Sequence, residues 1–401
     1  MRIVLFTDTF TPQINGVAKT YQRLLAYLQS KNIETLVYAP TAKSQEPSVT
    51  NSNGVCRVAS LDFFLYRDCQ ISLPNYFAVR QTLDKYKPDL VHLATPFSLG
   101  LTGLKYATQR CLPKVAVFHT NFPQYLEHWR VPQLKKLAWR FLRWFHRQAE
   151  RNYCPSRDTM RMMRLQGINN VELWTRGVDQ NIFNPDFRSL DFRRSLGIDD
   201  KIVLLYVGRL APEKSVDVLL RALDKANKKC DNLHLLLIGD GPSRHYLTSI
   251  APENVTFMGY RSGNDLSTAY ASADIFVCPS ITETFGNVIL EAMASSLPVI
   301  APLAGGIKEN LFPMRTGIPC TQLNHESMAA GMERLAIDSQ LRSSLALGAY
   351  EHAKSQSWNE VFFRLVNSYH NVVELSPKHS FSAAQDKKRK TPGCSSQYQK
   401  V

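Results

Sequence analysis

Two doubly wound α/β domains are the fold class this sequence predicts, and three observations predict it. Short apolar runs recur along 401 residues, segments of helical period lie between them, and the series occurs twice. The runs are IVLF (3–6), TLVYA (35–39), DLVHLA (89–94) and KVAVFH (114–119), then IVLLYVG (202–208), HLLLIG (234–239), DIFVCP (274–279) and PVIA (298–301). A strand with one solvated face alternates polar and apolar residues; these do not, so they read as parallel strands covered by helices on both faces. The turn-rich GVDQNIFNPDFRS (177–189), with Pro185, separates the two series. The expected organisation is a first domain over 1–180 and a second over 181–356, facing a central cleft. A last helix, 357–375, has Ser357 as its N-cap and packs back on the first domain. Residues 376–401 are polar, carry KKRK (387–390), have little to bury and read as a disordered tail. Ligands of such sheets bind at the carboxyl ends of the strands.

Composition narrows the class. Hydrophobic content of 44% and charged content of 20% are ordinary for a soluble globular protein. No apolar run approaches the roughly 20 residues that span a bilayer. MRIVLFTDTFTPQ lacks the apolar core and cleavage site of a signal peptide. Eight scattered cysteines without a C-x-x-C pair argue for reduced thiols in the cytoplasm and against zinc. The net charge of +14 calls for anionic company: nucleic acid, a membrane face or anionic substrates.

The chemistry concentrates in the second half. In ITETFGNVILEAMASSLPV (281–299), Glu283 lies in a strand-to-helix loop and Glu291 about one turn into the helix. Gly286 lets the backbone approach a ligand, and the helix start offers free N–H groups to a phosphate. Carboxylates beside a phosphate site suit hydroxyl groups, which suggests a nucleotide-sugar. IVLLYVGRLAPEKSVDVLLRA (202–222) sets Gly208, Arg209 and Lys214 at a strand's carboxyl end, where Arg can grip a diphosphate through two N–H bonds. Read alone, that pair is also what a surface turn carries. LLLIGDGPSR (235–244) places Gly239 after another strand, which by itself marks only a turn. In the first half, Asn15 and Gly16 precede a helix that could face the same diphosphate. His119 directly follows a strand, where it is either structural or at the cleft mouth.

Taken together, TFTPQINGVAKT, TPFSLGLTGLKYA, FHTNFPQYL, RGVDQNIFNP, YVGRLAPEKSVDVLL, IGDGPSR and ITETFGNVILEAMASS make the chain resemble the family-four retaining glycosyltransferases of the GT-B fold. The likeness runs from Met1 to about residue 375. It is nearest to bacterial GDP-mannose-dependent mannosyltransferases and to sulfoquinovosyl- and glucosyltransferases of lipids. The resemblance implies that Arg209 and Lys214 hold the donor diphosphate and that Glu291 binds the ribose hydroxyls. It implies that Glu283 contacts the donor sugar, with backbone contacts from Phe285, Gly286 and Asn287. Gly16 would lie against the diphosphate, and His119 would reach the donor sugar or its leaving face. His119, Arg209, Lys214 and Glu283 are thus the catalytic candidates, and Asn15, Gly16, Gly239, Phe285, Gly286, Asn287 and Glu291 the substrate-binding ones. Two departures stand out: Ser296 replaces a glycine usual in the family, and GGIKENLFPMRTGIPC (305–320) matches only loosely after its glycines.

The implied reaction moves a hexose from a nucleotide-sugar, GDP-mannose first, with a UDP-linked sugar as the alternative. No cofactor and no metal clamp are expected, since no D-x-D-like pair ends a strand; Arg209, Lys214 and helix N-termini would stabilise the leaving diphosphate. Same-face attack by the acceptor, with domain closure excluding water, accounts for retention. The stretch WRVPQLKKLAWRFLRWFHRQAER (129–151) holds seven basic residues against one acid, Glu150. Leu134, Leu137, Ala138, Phe141, Trp144, Phe145 and Gln148 are expected on one face and Lys136, Arg140, Arg143, Arg147 and Arg151 on another. That pattern fits a helix resting on anionic lipid at the inner face of the cell membrane, and it also fits a domain helix with its apolar face in a core. A lipid or glycolipid acceptor follows from the first reading, a soluble or polysaccharide acceptor from the second. An oxidoreductase would want G-x-G-x-x-G after a strand, and a nucleic-acid binder a groove-reading module; neither is present. A sugar-nucleotide epimerase on the same fold is a further alternative.

Overall fold

The computed structural model describes residues 1–13, 15–41, 54–62, 70–123 and 132–376. The tail beyond Ser376, with KKRK, and residues 129–131 of the basic stretch lie outside them. The chain divides into two compact units: Met1–Val117 with Trp144–Asn152 and the chain from Phe363, and Phe118–Arg143 with Tyr153–Phe362.

The expected pair of doubly wound sheets is present. Among the described residues, nine strands form in the first half: β1 (Arg2–Phe6), β2 (Glu34–Pro40), β3 (Val55–Val58), β4 (Ser60–Asp62), β5 (Gln70–Ser72), β6 (Leu90–Leu93), β7 (Lys114–Val117), β8 (Arg151–Cys154) and β9 (Val171–Leu173). Seven make one sheet in the order β3-β2-β1-β6-β7-β8-β9, while β4 and β5 pair as a small antiparallel ribbon. In the second half, β10 (Ile202–Val207), β11 (Leu233–Ile238), β12 (Val255–Gly259), β13 (Ile275–Val277), β14 (Val299–Pro302) and β15 (Gly317–Cys320) order as β12-β11-β10-β13-β14-β15. Parallel registers such as Ile3 with Leu90 and Leu204 with Ile275 fix the two central pairings.

Period-2 geometry explains why these strands are apolar throughout. Along β10, Val203 and Leu205 enter one core while Leu204 and Tyr206 enter another on the opposite face. Leu236 and Ile238 of β11 join the first core, Leu235 and Leu237 the second. Each such fully buried side chain stabilises the fold by about 1.5–3 kcal/mol. In the first unit, Phe6 of β1 stacks on Tyr38 of β2 with centroids 5.0 Å apart. His92 of β6 is fully buried between two phenols: Tyr21 lies 2.8 Å from Nε2 and Tyr369 lies 2.7 Å from Nδ1. Burial pushes its imidazole down to about 3, so the ring is neutral. Tyr369 belongs to the helix Trp358–Glu374, whose first turn is capped by Ser357 Oγ accepting from Asn359 N at 3.2 Å.

The basic stretch departs from its expected face. After a 3-10 turn, Pro132–Leu134, the helix runs Lys135–Arg147 and buries Trp139, Leu142, Phe145 and His146. Of the expected apolar face only Phe145 is buried, whereas Leu134, Leu137 and Trp144 are 49%, 61% and 50% exposed. Arg151 is not helical but opens β8. The inward stripe is fixed by Trp139 stacking on Phe118, 6.0 Å between centroids, and by His146 Nδ1 meeting Asn152 Oδ1 at 2.7 Å. With two apolar stripes on one helix, counting periodicity could not tell which one the core takes.

Ser296, where a glycine was expected, ends the helix Asn287–Ala294 in the left-handed region at φ 61°. The turn keeps its hydrogen bonds: Ser296 N donates to Met293 O and Leu297 N to Ala292 O, both at 3.0 Å, the 5→2 and 6→1 pattern of a Schellman close. A side chain in that conformation costs about 1–2 kcal/mol. Ser296→Gly should therefore raise the unfolding free energy by about 1 kcal/mol in urea titrations.

Candidate active site

In each main sheet the strand order reverses beside one strand, β1 in the first and β10 in the second. The reversal beside β10 is the point where an open parallel sheet holds its ligand crevice, at the carboxyl ends of β10 and β13. After β10 come Gly208 and half-buried Arg209, then a 3-10 turn, Pro212–Lys214, and the helix Val216–Asn227 entered through left-handed Ser215. After β13 the chain runs through Glu283 to left-handed Gly286 and the helix Asn287–Ala294. The two loops meet: Lys214 Nζ is 2.5 Å from Glu283 Oε1, with both side chains only 18% exposed. Thr282 Oγ1 donates to Glu213 O at 3.2 Å beside them.

Backbone approach fixes this geometry. At Gly239, after β11, a Cβ would lie 1.9 Å from Gly208 O, so only glycine lets that loop rest on the Arg209 loop. Leu210 N donating to Asp240 O at 3.0 Å secures the contact. Gly306 N donates to Glu283 O at 2.7 Å, and a Cβ there would lie 2.2 Å from Thr284 O and 2.3 Å from Phe285 Cα. The segment that matched the family loosely is thus the shelf under the Glu283 loop. Asn310 extends the shelf, its Nδ2 donating to Phe285 O at 3.3 Å.

Glu291 sits on the helix after Gly286 and accepts from Tyr270 Oη at 3.0 Å. Burial first, then the Glu291 charge, holds that phenol well above its usual range, so it remains a donor. Phe285 is buried, and Asn287 Oδ1 is buried with no hydrogen-bond partner among the described residues. Tyr206, also kept neutral by burial, donates to Arg209 O at 3.1 Å. Tyr206, Tyr270 and Gly306 escaped sequence reasoning; only the Gly305–Gly306 pair left a visible sign.

In the first sheet, Asn15 caps the helix Gly16–Ser30. Its Oδ1 accepts from Ala18 N at 2.9 Å, and its Nδ2 donates to Thr9 Oγ1 at 2.7 Å. Gly16 is the exposed first residue of that helix. Asp8, also missed, is fully buried at the end of β1 and accepts from Thr95 Oγ1 (2.5 Å), Ser98 Oγ (2.8 Å) and Leu99 N (3.0 Å). It thereby supplies the helix Ser98–Gln109 with the cap that Phe97 cannot. Burial raises its carboxyl above the ordinary range despite those bonds. His119, two residues past β7, is buried with Nδ1 2.8 Å from Arg176 Nη2. The structure therefore joins Lys214 with Glu283 and places Arg209, Gly239, Phe285, Gly286, Asn287 and Glu291 on loops and helices bordering the same crevice. Asn15 and Gly16 start the helix that follows β1, and His119 follows β7.

Residues 14–181 match the family described as Glycosyltransferase Family 4, and residues 201–338 match Glycosyl transferases group 1. A GDP-mannose-dependent alpha-mannosyltransferase of Mycobacterium tuberculosis is 36% identical over 93% of this chain and 97% of its own length. An alpha-monoglucosyldiacylglycerol synthase of Streptococcus pneumoniae is 28% identical over 75% and 71%. Among solved structures, a sucrose-phosphate synthase of Thermosynechococcus elongatus superimposes with a TM-score of 0.75 over 93% of this chain and 99% of its own, at 19% identity, which shows the shared GT-B fold. The shelf under Glu283 yields a direct test. Gly306→Ala must displace the loop 283–286, and misplacement by about 1 Å costs about 100-fold in rate. Turnover should fall by that order in steady-state assays while circular dichroism still reports a folded protein.

Proposed function

The chain belongs to glycosyltransferase family 4, and on that premise we propose that it transfers mannose from GDP-mannose, with retention, to a hydroxyl of a lipid or glycolipid at a membrane surface. The observation that carries the donor site is the Lys214–Glu283 pair at the strand-order reversal beside β10. In this reading the ammonium and Arg209 receive the diphosphate and stabilise the charge that grows on it as the sugar departs, in place of a metal ion. Glu283, held by Lys214 and by the Gly306 shelf, faces the sugar hydroxyls. Glu291, oriented by Tyr270, takes the ribose. Backbone groups at Phe285, Gly286 and Asn287 add contacts where the helix starts, with its dipole positive end outward. Gly239 and His119 complete the proposed contacts to the donor.

Mannose and guanine are supported by the relative from Mycobacterium tuberculosis, at 36% identity across nearly the whole chain. The relative from Streptococcus pneumoniae, a monoglucosyldiacylglycerol synthase, supports an activated glucose such as UDP-glucose as the second donor to try, and its glucolipid product supports a lipid acceptor. Exposed Leu134, Leu137 and Trp144, bordered by Lys136, Arg140 and Arg147, supply the surface: apolar side chains to enter the headgroup layer and cations to attract it. No helix of the described residues is long and apolar enough to cross a membrane; the exposed apolar and basic side chains of the Lys135–Arg147 helix are what support a peripheral attachment at the inner face.

Thermal shift separates the donors. A ligand at 100 times its dissociation constant adds about 2.7 kcal/mol, so GDP-mannose should raise Tm well above UDP-glucose; the reverse order would overturn the choice of base. Lys214→Ala should cut turnover by about 100- to 1,000-fold with little change in Tm. Turnover within a factor of about two would remove the diphosphate role.

Vesicle co-sedimentation tests the surface. The protein should bind phosphatidylglycerol vesicles more tightly than phosphatidylcholine vesicles, and Leu137→Glu with Trp144→Glu should abolish the difference. Undiminished binding by that double variant would refute the membrane reading.

A further inference from the structure

The buried pair of His119 and Arg176 leads beyond the family assignment. Arg176, 5% exposed, follows β9, and its Nη1 donates to Trp174 O at 2.8 Å and Thr175 O at 3.2 Å. Its guanidinium also lies over the Trp174 ring at 5.0 Å. That ring is itself anchored, because Trp174 N donates to Cys154 O at 2.8 Å. These contacts fix the direction of Nη2, which meets His119 Nδ1 at 2.8 Å. The imidazole lies 5.5 Å from Trp174, tilted by 59°, and is 7% exposed.

A guanidinium has only N–H donors and keeps its proton in proteins. Nδ1 of His119 must therefore present its lone pair, and the ring proton sits on Nε2. A doubly protonated ring would set N–H against N–H and cation against cation in a buried place. Among nearby ionisable groups, Cys154 is held as a neutral thiol by burial, which pushes it up to about 12, and Glu309 and Arg164 act on that thiol with opposite signs.

We propose that Arg176 is a positioning residue that locks His119 as a neutral imidazole with its Nε2–H as a fixed hydrogen-bond donor. His119 then offers a hydrogen bond to an oxygen of the donor sugar or its leaving group and does not shuttle protons. That use rests on the placement of His119 at the donor; the lock itself rests only on the geometry. Fifty-seven positions separate the two residues, so no local motif announces the pair.

Nitrogen-15 spectra of histidine-labelled full-length protein test the lock, with the His119 signals identified by their loss in His119→Gln. The wild type should show a lone-pair nitrogen at Nδ1 and an N–H at Nε2, unchanged from about pH 5 to 8, where an unlocked imidazole titrates. Arg176→Lys, which keeps a cationic donor, should retain that pattern. Arg176→Met should give mixed tautomers that titrate, and a kcat at least about tenfold lower, with the loss greatest on the neutral and alkaline side, where the neutral ring can carry its proton on Nδ1 alone. A proton on Nδ1 in the wild type, or an unchanged pattern in Arg176→Met, overturns the proposal. The first of these needs no variant, so a variant that fails to fold does not blunt the test. Near-normal transfer by His119→Gln would instead overturn the contact to donor sugar while a locked ring upheld the action of Arg176.

Discussion

Parallel pairing is the constraint on which the rest depends. Each connection between parallel strands must cross a face of the sheet, and a chain that starts in the middle must build outward first to one side and then to the other. Beside β1 and β10 the crossovers therefore leave on opposite faces, and their loops part at the carboxyl edge. The candidate groups of the second sheet border that parting. Arg209 and Lys214 come from the loop of one strand, Glu283 and Glu291 from the loop and helix of its neighbour, and an ion pair spans the gap. The unadorned backbone of Gly239 and Gly306 allows the supporting loops to close on it.

Much of this was legible in the sequence because it is local. Continuous apolar runs disclosed the strands, since residues such as Leu204 and Leu205 each enter a core on opposite faces. Motif order disclosed the family, which the match of both halves to glycosyltransferase families bears out. The supporting contacts were hidden because they join residues far apart. Tyr270 reaches Glu291 across 21 positions, Asp8 reaches Leu99 across 91, and neither partner's type reveals the other. The Lys135–Arg147 helix shows a second limit. Apolar residues occupy two of its faces, and packing of Trp139 on Phe118, invisible in one dimension, decided which turned inward.

Buried polar groups play two different parts here. Asp8, His92 and Arg176 organise backbone or neighbouring rings, and each has its hydrogen bonds made within the chain. Asn287 Oδ1, buried at a helix start beside Gly286, has no such bond among the described residues. A group of that kind costs about 1–3 kcal/mol unless something completes it.

One feature of the first unit sets an environmental limit for the molecule. His92, wedged between Tyr21 and Tyr369, stays uncharged down to about pH 3, whereas an unfolded histidine takes up a proton near pH 6.5. Between those values the denatured chain binds the extra proton, so the contribution of this ring to stability is intact above about 6.5 and erodes by about 1.4 kcal/mol per pH unit as the medium acidifies. The terminal helix is tied to β6 through this ring. Mild acidification therefore weakens the tie between the terminal helix and β6.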